Sequence, residues 1–186
     1  MKRVLFAIAA VGLLAAACGG AGSGTATTAP KAAATTAAPT PQTVYVFTAD
    51  LSAANENPAV TDAEASGSGT STVTLTTTKD SYGKVTAATA KFEIVLKGFP
   101  ATTKITISHI HKGDAKTNGP VVVDSGMKAA EPIALTTGGT TITKDNLTVA
   151  PELAADIIAN PGNYYYNVHS QVHAPGVVRG QLKAKS

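Results

Sequence analysis

The sequence is poor in cysteine, tryptophan and charge. Its 186 residues include one cysteine and no tryptophan, and 15% of them are charged. Because a disulfide needs two thiols, the single cysteine excludes an intramolecular disulfide. The formal net charge is +3, and loss of Lys2 and Arg3 with the leader described below would leave 13 basic residues against 12 acidic ones. A chain this close to neutrality lacks the basic surface that binds nucleic acid, so we expect no nucleic-acid partner.

Familiar catalytic signatures are also missing from the sequence. It contains no G-x-S-x-G nucleophile elbow, no P-loop and no glycine fingerprint for dinucleotides. Glu152 and Asp156 lie one turn apart in a predicted helix, without a partner constellation for acid/base hydrolysis. We therefore expect a protein that is not an enzyme, apart from the metal-dependent redox activity considered below.

The first 18 residues have the pattern of an export signal. Met1-Lys2-Arg3 is followed by an apolar run from Val4 to Ala17 that ends at Cys18, and this run is too short for a stable membrane-spanning anchor. Ala15-Ala16-Ala17-Cys18 resembles the lipobox of bacterial lipoproteins, with Ala where Leu is usual. We expect an exported protein held by a lipid on Cys18 at the outside of the bacterial membrane or cell wall. The alternative is cleavage after Ala17 and free secretion.

Residues 19–43 differ in composition from the rest of the chain. They consist almost wholly of Gly, Ala, Thr, Ser and Pro. Such a segment lacks the apolar side chains that offset the entropy of ordering, so it is predicted to be a disordered Ala/Thr/Pro linker. Residues 44–186 are predicted to form the folded domain.

Short β-branched runs separated by turn residues fill the predicted domain, which indicates many strands. The predicted strands lie at 44–51, 67–78, 85–97, 104–112, 121–123, 132–135, 140–143, 164–170 and 177–183. One helix is predicted over 151–159, with Pro151 in its first turn and Asn160-Pro161-Gly162 after its end. This pattern favours an all-β fold, an antiparallel β-sandwich or barrel with one short helix.

All four histidines lie in two stretches, residues 105–113 and 164–182. Because side chains alternate along a strand, His109 and His111 are predicted to share one face with Ile105 and Ile107. The same rule places three further residues on one side of the second stretch: Tyr165, Asn167 and His169. If these two strands are neighbours, three imidazoles converge.

Several ordered motifs resemble the CHRD (chordin) domain. They are N-E-N-P-A-V at 55–60, H-I-H-K-G at 109–113, N-G-P-V-V at 118–122, Y-Y-N-V-H-S at 165–170 and G-V-V-R-G-Q-L at 176–182. The resemblance covers about 44–183 and implies an immunoglobulin-like or related all-β fold in an extracellular setting, with no assigned ligand. It favours a non-enzymatic binding or structural module at the cell envelope, whose partner would be an unknown extracellular protein or glycan.

A second likeness suggests the alternative function, a metal-binding protein with a superoxide dismutase-like redox activity. The H-I-H strand, the loop after it and Arg179 are similar in layout to copper/zinc superoxide dismutase, a Greek-key fold, although the bridging and zinc-loop histidines and the cysteine pair of that family are missing. Imidazole suits Cu or Zn, so the candidate ligands are His109, His111, His169 and His173. The alternative is that His109 is a core histidine bonded to a carbonyl or to Asn167. Three residues are weaker candidates for an anion or ligand: Arg179, Asn167 and Tyr165. Arg179 could instead pair with Asp124 or Glu93, or cap the tyrosine cluster.

Overall fold

The computed structural model of the protein describes residues 41–185. The predicted export signal, Cys18 and almost all of the predicted linker therefore lie outside the described residues. Across the described range, none of the helices has the length and apolarity needed to span a membrane.

The described residues fold as an all-β domain, as predicted. Ten strands are present in this range: β1 (Gln42–Ser52), β2 (Ser68–Lys79), β3 (Val85–Lys97), β4 (Lys104–Lys112), β5 (Val121–Asp124), β6 (Ile133–Ala134), β7 (Thr140–Val149), β8 (Tyr164–Ser170), β9 (Val178–Gln181) and β10 (Lys183–Ala184). The α-helix α1 (Pro151–Ala159) matches its predicted bounds, and three short 3-10 turns occupy Ala53–Asn55, Ala63–Ser66 and Pro161–Asn163.

The strands form one antiparallel sheet that curls into a nearly closed barrel. Its order is β5-β4-β8-β9-β1-β2-β3-β7, with β6 paired to β4 and β10 paired to β1. The two end strands, β5 and β7, lie next to each other. Curling the sheet in this way leaves one face turned inward, where the apolar side chains meet.

Strands β1, β2 and β3 alternate simply between core and solvent. Val73 and Leu75 of β2, and Phe92 and Ile94 of β3, are fully buried, whereas Thr74, between the first pair, is only partly covered. The buried face packs on α1, where Ile157 is fully buried. This alternation is typical of a sheet with one side in water.

Strand β8 differs, because all seven of its residues are buried. Tyr164 and Tyr166 face the core, where the Tyr166 ring meets Phe92 edge-on with centroids 5.1 Å apart. Tyr165 and Asn167 face outward, yet they are buried too. The loops before β5 and after β8 supply the contacts that cover them. The barrel therefore carries a second, polar interior between its wall and these loops.

One predicted face assignment is wrong. Ile105 of β4 pairs with Ser170, whereas Ser108 pairs with Val168, so the register shifts by one residue between them. Such a β-bulge places the residues before it on the opposite face. Ile105 is therefore in the core with Ile110, and not beside His109 and His111.

Other differences concern strand ends. β1 begins at Gln42, two residues inside the predicted linker, and β7 extends to Val149 instead of Thr143. The residues of both extensions are paired with neighbouring strands: Gln42 pairs with Thr78, and Thr148 pairs with Thr89. Hydrogen bonds between neighbouring backbones decide these ends, and a hydrophobic pattern does not report them.

Truncation of side chains on opposite faces of β3 should change the free energy of unfolding by very different amounts. Phe92→Ala removes a fully buried ring and should lower the free energy of unfolding by about 3–5 kcal/mol. Val95→Ala, whose side chain is 45% exposed on the same strand, should change it by less than about 0.5 kcal/mol. Urea unfolding of both variants measures the difference, and equal losses would contradict the assigned faces.

Candidate metal centre

A row of polar residues crosses four neighbouring strands on the outer side of the barrel wall. Asp124 of β5 lies opposite His109 of β4, which lies opposite Asn167 of β8, which in turn lies opposite Arg179 of β9. Residues that are directly paired across a sheet point to the same face. Strand pairing therefore gathers onto one face polar residues that are up to 70 positions apart in the sequence.

Three histidines lie close together on this polar face. His109, His111 and His169 each offer a ring nitrogen, and the three nitrogens lie within 4.8 Å of one another. Nδ1 of His109 is 3.2 Å from Nε2 of His169. Their exposed fractions are 7%, 8% and 5%. The structure thus brings together the three imidazoles that strand alternation placed on matching faces.

Two of the rings are oriented by backbone carbonyls. Nδ1 of His111 lies 2.8 Å from the carbonyl oxygen of Gly119, and Nδ1 of His169 lies 2.8 Å from that of Ala174. Because a carbonyl can only accept, each Nδ1 carries the proton and each Nε2 carries a lone pair. Nε2 of His111 is buried and has no hydrogen-bond partner within residues 41–185.

His109 is held by a carboxylate. Its Nε2 lies 3.3 Å from Oδ2 of Asp124, an arrangement that places a proton on Nε2 and leaves the Nδ1 lone pair facing His169. Two lone pairs 3.2 Å apart repel each other unless a proton or a cation lies between them. The alternative in which His109 bonds to Asn167 is wrong, since its partners are Asp124 and His169.

Burial lowers the pKa of all three histidines. The effect is largest for His169, whose pKa falls to about 4 mainly through burial, with the neighbouring histidines adding to it. Burial also lowers the pKa of His109, against the opposing effect of Asp124, and the pKa of His111, against its bond to Gly119. Neutral imidazole, the form that binds a metal ion, is therefore the form present at pH 7.

The fourth candidate ligand, His173, is not part of this group. Its Nε2 contacts Oδ2 of Asp62 at 2.9 Å and lies 3.9 Å from Oε2 of Glu64. Strand β8 ends at Ser170, and the turn that follows carries His173 away from the three rings. Strand alternation could not place it, because it is not in a strand.

Only 1% of the Arg179 surface is exposed, and its guanidinium points at loop carbonyls. Nε donates to the carbonyl oxygen of Asn55 at 2.6 Å, one Nη donates to that of Ala115 at 2.7 Å, and the other donates to Oδ1 of Asn118 at 2.8 Å. It also stacks 4.6 Å from the centroid of the Tyr165 ring, which agrees with the predicted cap on the tyrosines. The described residues contain no ion pair of Arg179 with Asp124 or Glu93.

Sequence reasoning assigned no role to Glu56, which lies beside the row. Its carboxyl is 9% exposed, and its Oε1 has no hydrogen-bond partner in the described part of the chain. Burial raises the pKa of Glu56 to about 7, with Arg179 opposing the rise. The carboxyl lines a cleft of about 260 Å³ that reaches Gly176.

Gly176 lets the carboxyl of Glu56 approach the barrel wall. A Cβ at Gly176 would lie 2.7 Å from Oε2 of Glu56 and 2.6 Å from Nδ2 of Asn167. Oδ1 of Asn167 also has no hydrogen-bond partner among the residues described. The sequence signals for Glu56 and Gly119 were their positions in the N-E-N-P-A-V and N-G-P-V-V motifs, and Asp124 was considered only as a partner of Arg179.

Acid should destabilise the metal-free protein through His169. The unfolded chain protonates this histidine below a pKa of about 6.5, whereas the folded chain resists protonation until about pH 4. The unfolded state therefore binds more protons, so the free energy of unfolding should fall by up to about 3 kcal/mol between pH 6.5 and 4.

Urea unfolding in the presence of a chelator at pH 7, 5.5 and 4 measures this loss. His169→Gln should reduce the pH dependence, while His173→Gln, a change at the partly exposed histidine, should leave it nearly intact. An unchanged pH dependence in His169→Gln would contradict the assignment.

Comparison with known families agrees with the motifs. No curated protein and no solved structure gave a match. A family profile described as the CHRD domain matches residues 47–182, which span β1 to the end of β9 and contain the three histidines and Arg179. Since this match covers well over half of the chain, the protein belongs to the CHRD domain family.

Proposed function

We propose that this CHRD protein is a non-enzymatic binding module whose ligand is a transition-metal ion, copper or zinc, held by His109, His111 and His169. One observation carries the proposal. For each of the three rings, one nitrogen is engaged by a carbonyl or carboxylate, and the three rings offer ligand nitrogens that lie within 4.8 Å of one another. Metal-binding histidines are oriented in this way, because the outer partner selects the tautomer and aims the ring.

The spacing of the nitrogens supports the proposal. With metal to nitrogen distances of roughly 2.0–2.1 Å, ligand nitrogens in tetrahedral or trigonal geometry lie about 3.3–3.6 Å apart. The His109 to His169 pair is at 3.2 Å, and the full set spans up to 4.8 Å. Small rotations of the His111 ring would close the remaining gap. The unpartnered Nε2 of His111 is the atom that such a rotation would supply with a partner.

Copper should bind more tightly than zinc. Imidazole accepts both ions, and at nitrogen sites the affinity for Cu²⁺ exceeds that for Zn²⁺. All three proposed ligands are neutral, so the charge of the ion would be offset mainly by Asp124 behind His109. The low exposure of the rings favours holding an ion over turning over a large substrate.

We also propose that the module works outside the cell, tethered to the membrane through Cys18. This rests on the apolar leader and the lipobox-like Ala15-Ala16-Ala17-Cys18. A metal bound there would be exchanged with the extracellular medium. An extracellular protein or glycan partner, also expected from the family, has no residues assigned to it.

Loss of the anchor is directly testable. Cys18→Ser should move the protein from the membrane fraction to the medium, because no thiol would remain to carry the lipid. Fractionation and mass spectrometry of the mature N-terminus measure this, with Ser23→Ala as a control in the same segment. Equal partition of Cys18→Ser and the unchanged protein would contradict the anchor.

The histidines should bind one metal ion per chain. The His109→Ala, His111→Ala double variant should lose Cu²⁺ and Zn²⁺ affinity by more than about 100-fold, since it removes two of three proposed ligands. Calorimetric titration with each ion, beside elemental analysis, gives affinity and stoichiometry.

His173→Ala is the matched control, because it removes a histidine that lies outside the cluster. It should retain one tight site. No metal above background in the folded, unchanged protein would refute the proposal and leave the histidines as part of the architecture.

A further inference from the structure

We propose that Arg179 is a positioning residue for the metal site, which it controls through the loop over His111. This inference rests on the proposed function. The loop, residues 113–120, is called here the covering loop. It connects β4 to β5 and lies against the polar face of β8 and β9.

Arg179 holds the covering loop at three places. Its guanidinium donates to the carbonyl oxygen of Ala115 at 2.7 Å, to that of Thr117 at 3.4 Å and to Oδ1 of Asn118 at 2.8 Å. Charge-assisted hydrogen bonds of this kind are stronger than neutral ones, and the planar fork of Arg sets their directions. The guanidinium thus defines the path of the chain up to the residue before Gly119.

Gly119 links the covering loop to His111, a proposed metal ligand. Its carbonyl oxygen accepts the Nδ1 proton of His111 at 2.8 Å, and its N–H donates to the Tyr165 hydroxyl at 3.1 Å. A side chain at this position would collide with the carbonyl oxygen of Lys112, so the backbone here is tightly packed. A shift of the covering loop would therefore move the acceptor that aims Nε2 of His111.

The Tyr165 ring contacts both His111 and Arg179 directly. It lies on β8, between β4, which carries His111, and β9, which carries Arg179. The His111 ring stacks on Tyr165 with centroids 4.9 Å apart and planes 8° apart, while the guanidinium lies 4.6 Å from the same ring. Stacking on Tyr165 and the hydrogen bond to Gly119 together restrict the His111 ring to small rotations about its present orientation.

The proposed role of Arg179 is to position a metal ligand and not to bind the metal ion. Arg179 is linked to His111 through the Tyr165 ring and through the covering loop, in which it bonds Asn118 next to Gly119, and as a cation it would itself repel a bound metal ion. Its contribution to affinity must therefore pass through the ring it orients. Outer partners of metal ligands are worth about 10–100-fold in metal affinity, which is the size expected here.

A double-mutant cycle on the full chain tests this route. Arg179→Lys keeps the charge but cannot make the three directed bonds, so it should weaken Cu²⁺ binding by about 10–100-fold. In a His111→Ala background the same change should cost less than about 2-fold, because the ring through which it acts is gone. Electron paramagnetic resonance should report three nitrogen ligands in the unchanged protein and two in Arg179→Lys.

Two further variants separate positioning from general stability. Phe92→Leu damages the core without touching the covering loop, and it should leave Cu²⁺ affinity unchanged while lowering the free energy of unfolding. Tyr165→Phe removes only the acceptor of the Gly119 N–H, so it should weaken Cu²⁺ binding with the same dependence on His111. If Arg179→Lys does not fold, Tyr165→Phe tests the same route through His111.

The outcomes are distinguishable. Additive losses of affinity in the cycle, or unchanged affinity and three nitrogens in Arg179→Lys, would overturn the role of Arg179 while leaving the metal site in place. Failure of the unchanged protein to bind Cu²⁺ would overturn the proposed function and this inference with it. Loss of affinity that vanishes in the His111→Ala background supports the route through His111.

Discussion

The structure depends on β8, a strand buried on both faces. One face is apolar and closes the core, while the other is polar and is covered by loops. Buried polar groups are stable only when they are hydrogen-bonded, so everything around this outer face is arranged to supply partners. The covering loop, the turn after β8 and the 3-10 turn that ends at Asn55 each present backbone carbonyls to it.

This requirement explains why Arg179 is buried without a carboxylate partner. A buried cation is costly unless its donors form hydrogen bonds, and here two segments supply the acceptors, the turn that ends at Asn55 and the covering loop. The positions of buried polar atoms that lack hydrogen bonds are informative. Five buried side-chain atoms lack partners among the described residues, and three of them, on Glu56, His111 and Asn167, lie at or beside the same polar row. The His111 atom belongs to the group of three imidazoles, whereas the side chains of Glu56 and Asn167 approach Gly176.

Much of the fold could be predicted because its determinants are local. The alternation in β1 to β3, the start of α1 at Pro151 and its end before Asn160 follow from neighbouring residues, and the structure agrees with them. The face of His109 and His111 was predicted correctly for the same reason, since both lie after the bulge. Ile105 lies before the bulge and was assigned to the wrong face. A bulge depends on the register with the partner strand, and one sequence does not report that register.

Local sequence fixes which side chains carry imidazole groups and which of those on one strand share a face, because a period of two is a property of the extended backbone. Which strands are neighbours, and what lies over them, is set only by the folded barrel. It joined His169 to the pair on β4, left His173 with Asp62, placed Asp124 behind His109 and turned Arg179 toward the covering loop. These outcomes depend on pairings between distant segments, whose free energy comes from burial and hydrogen bonds that form only when the barrel closes.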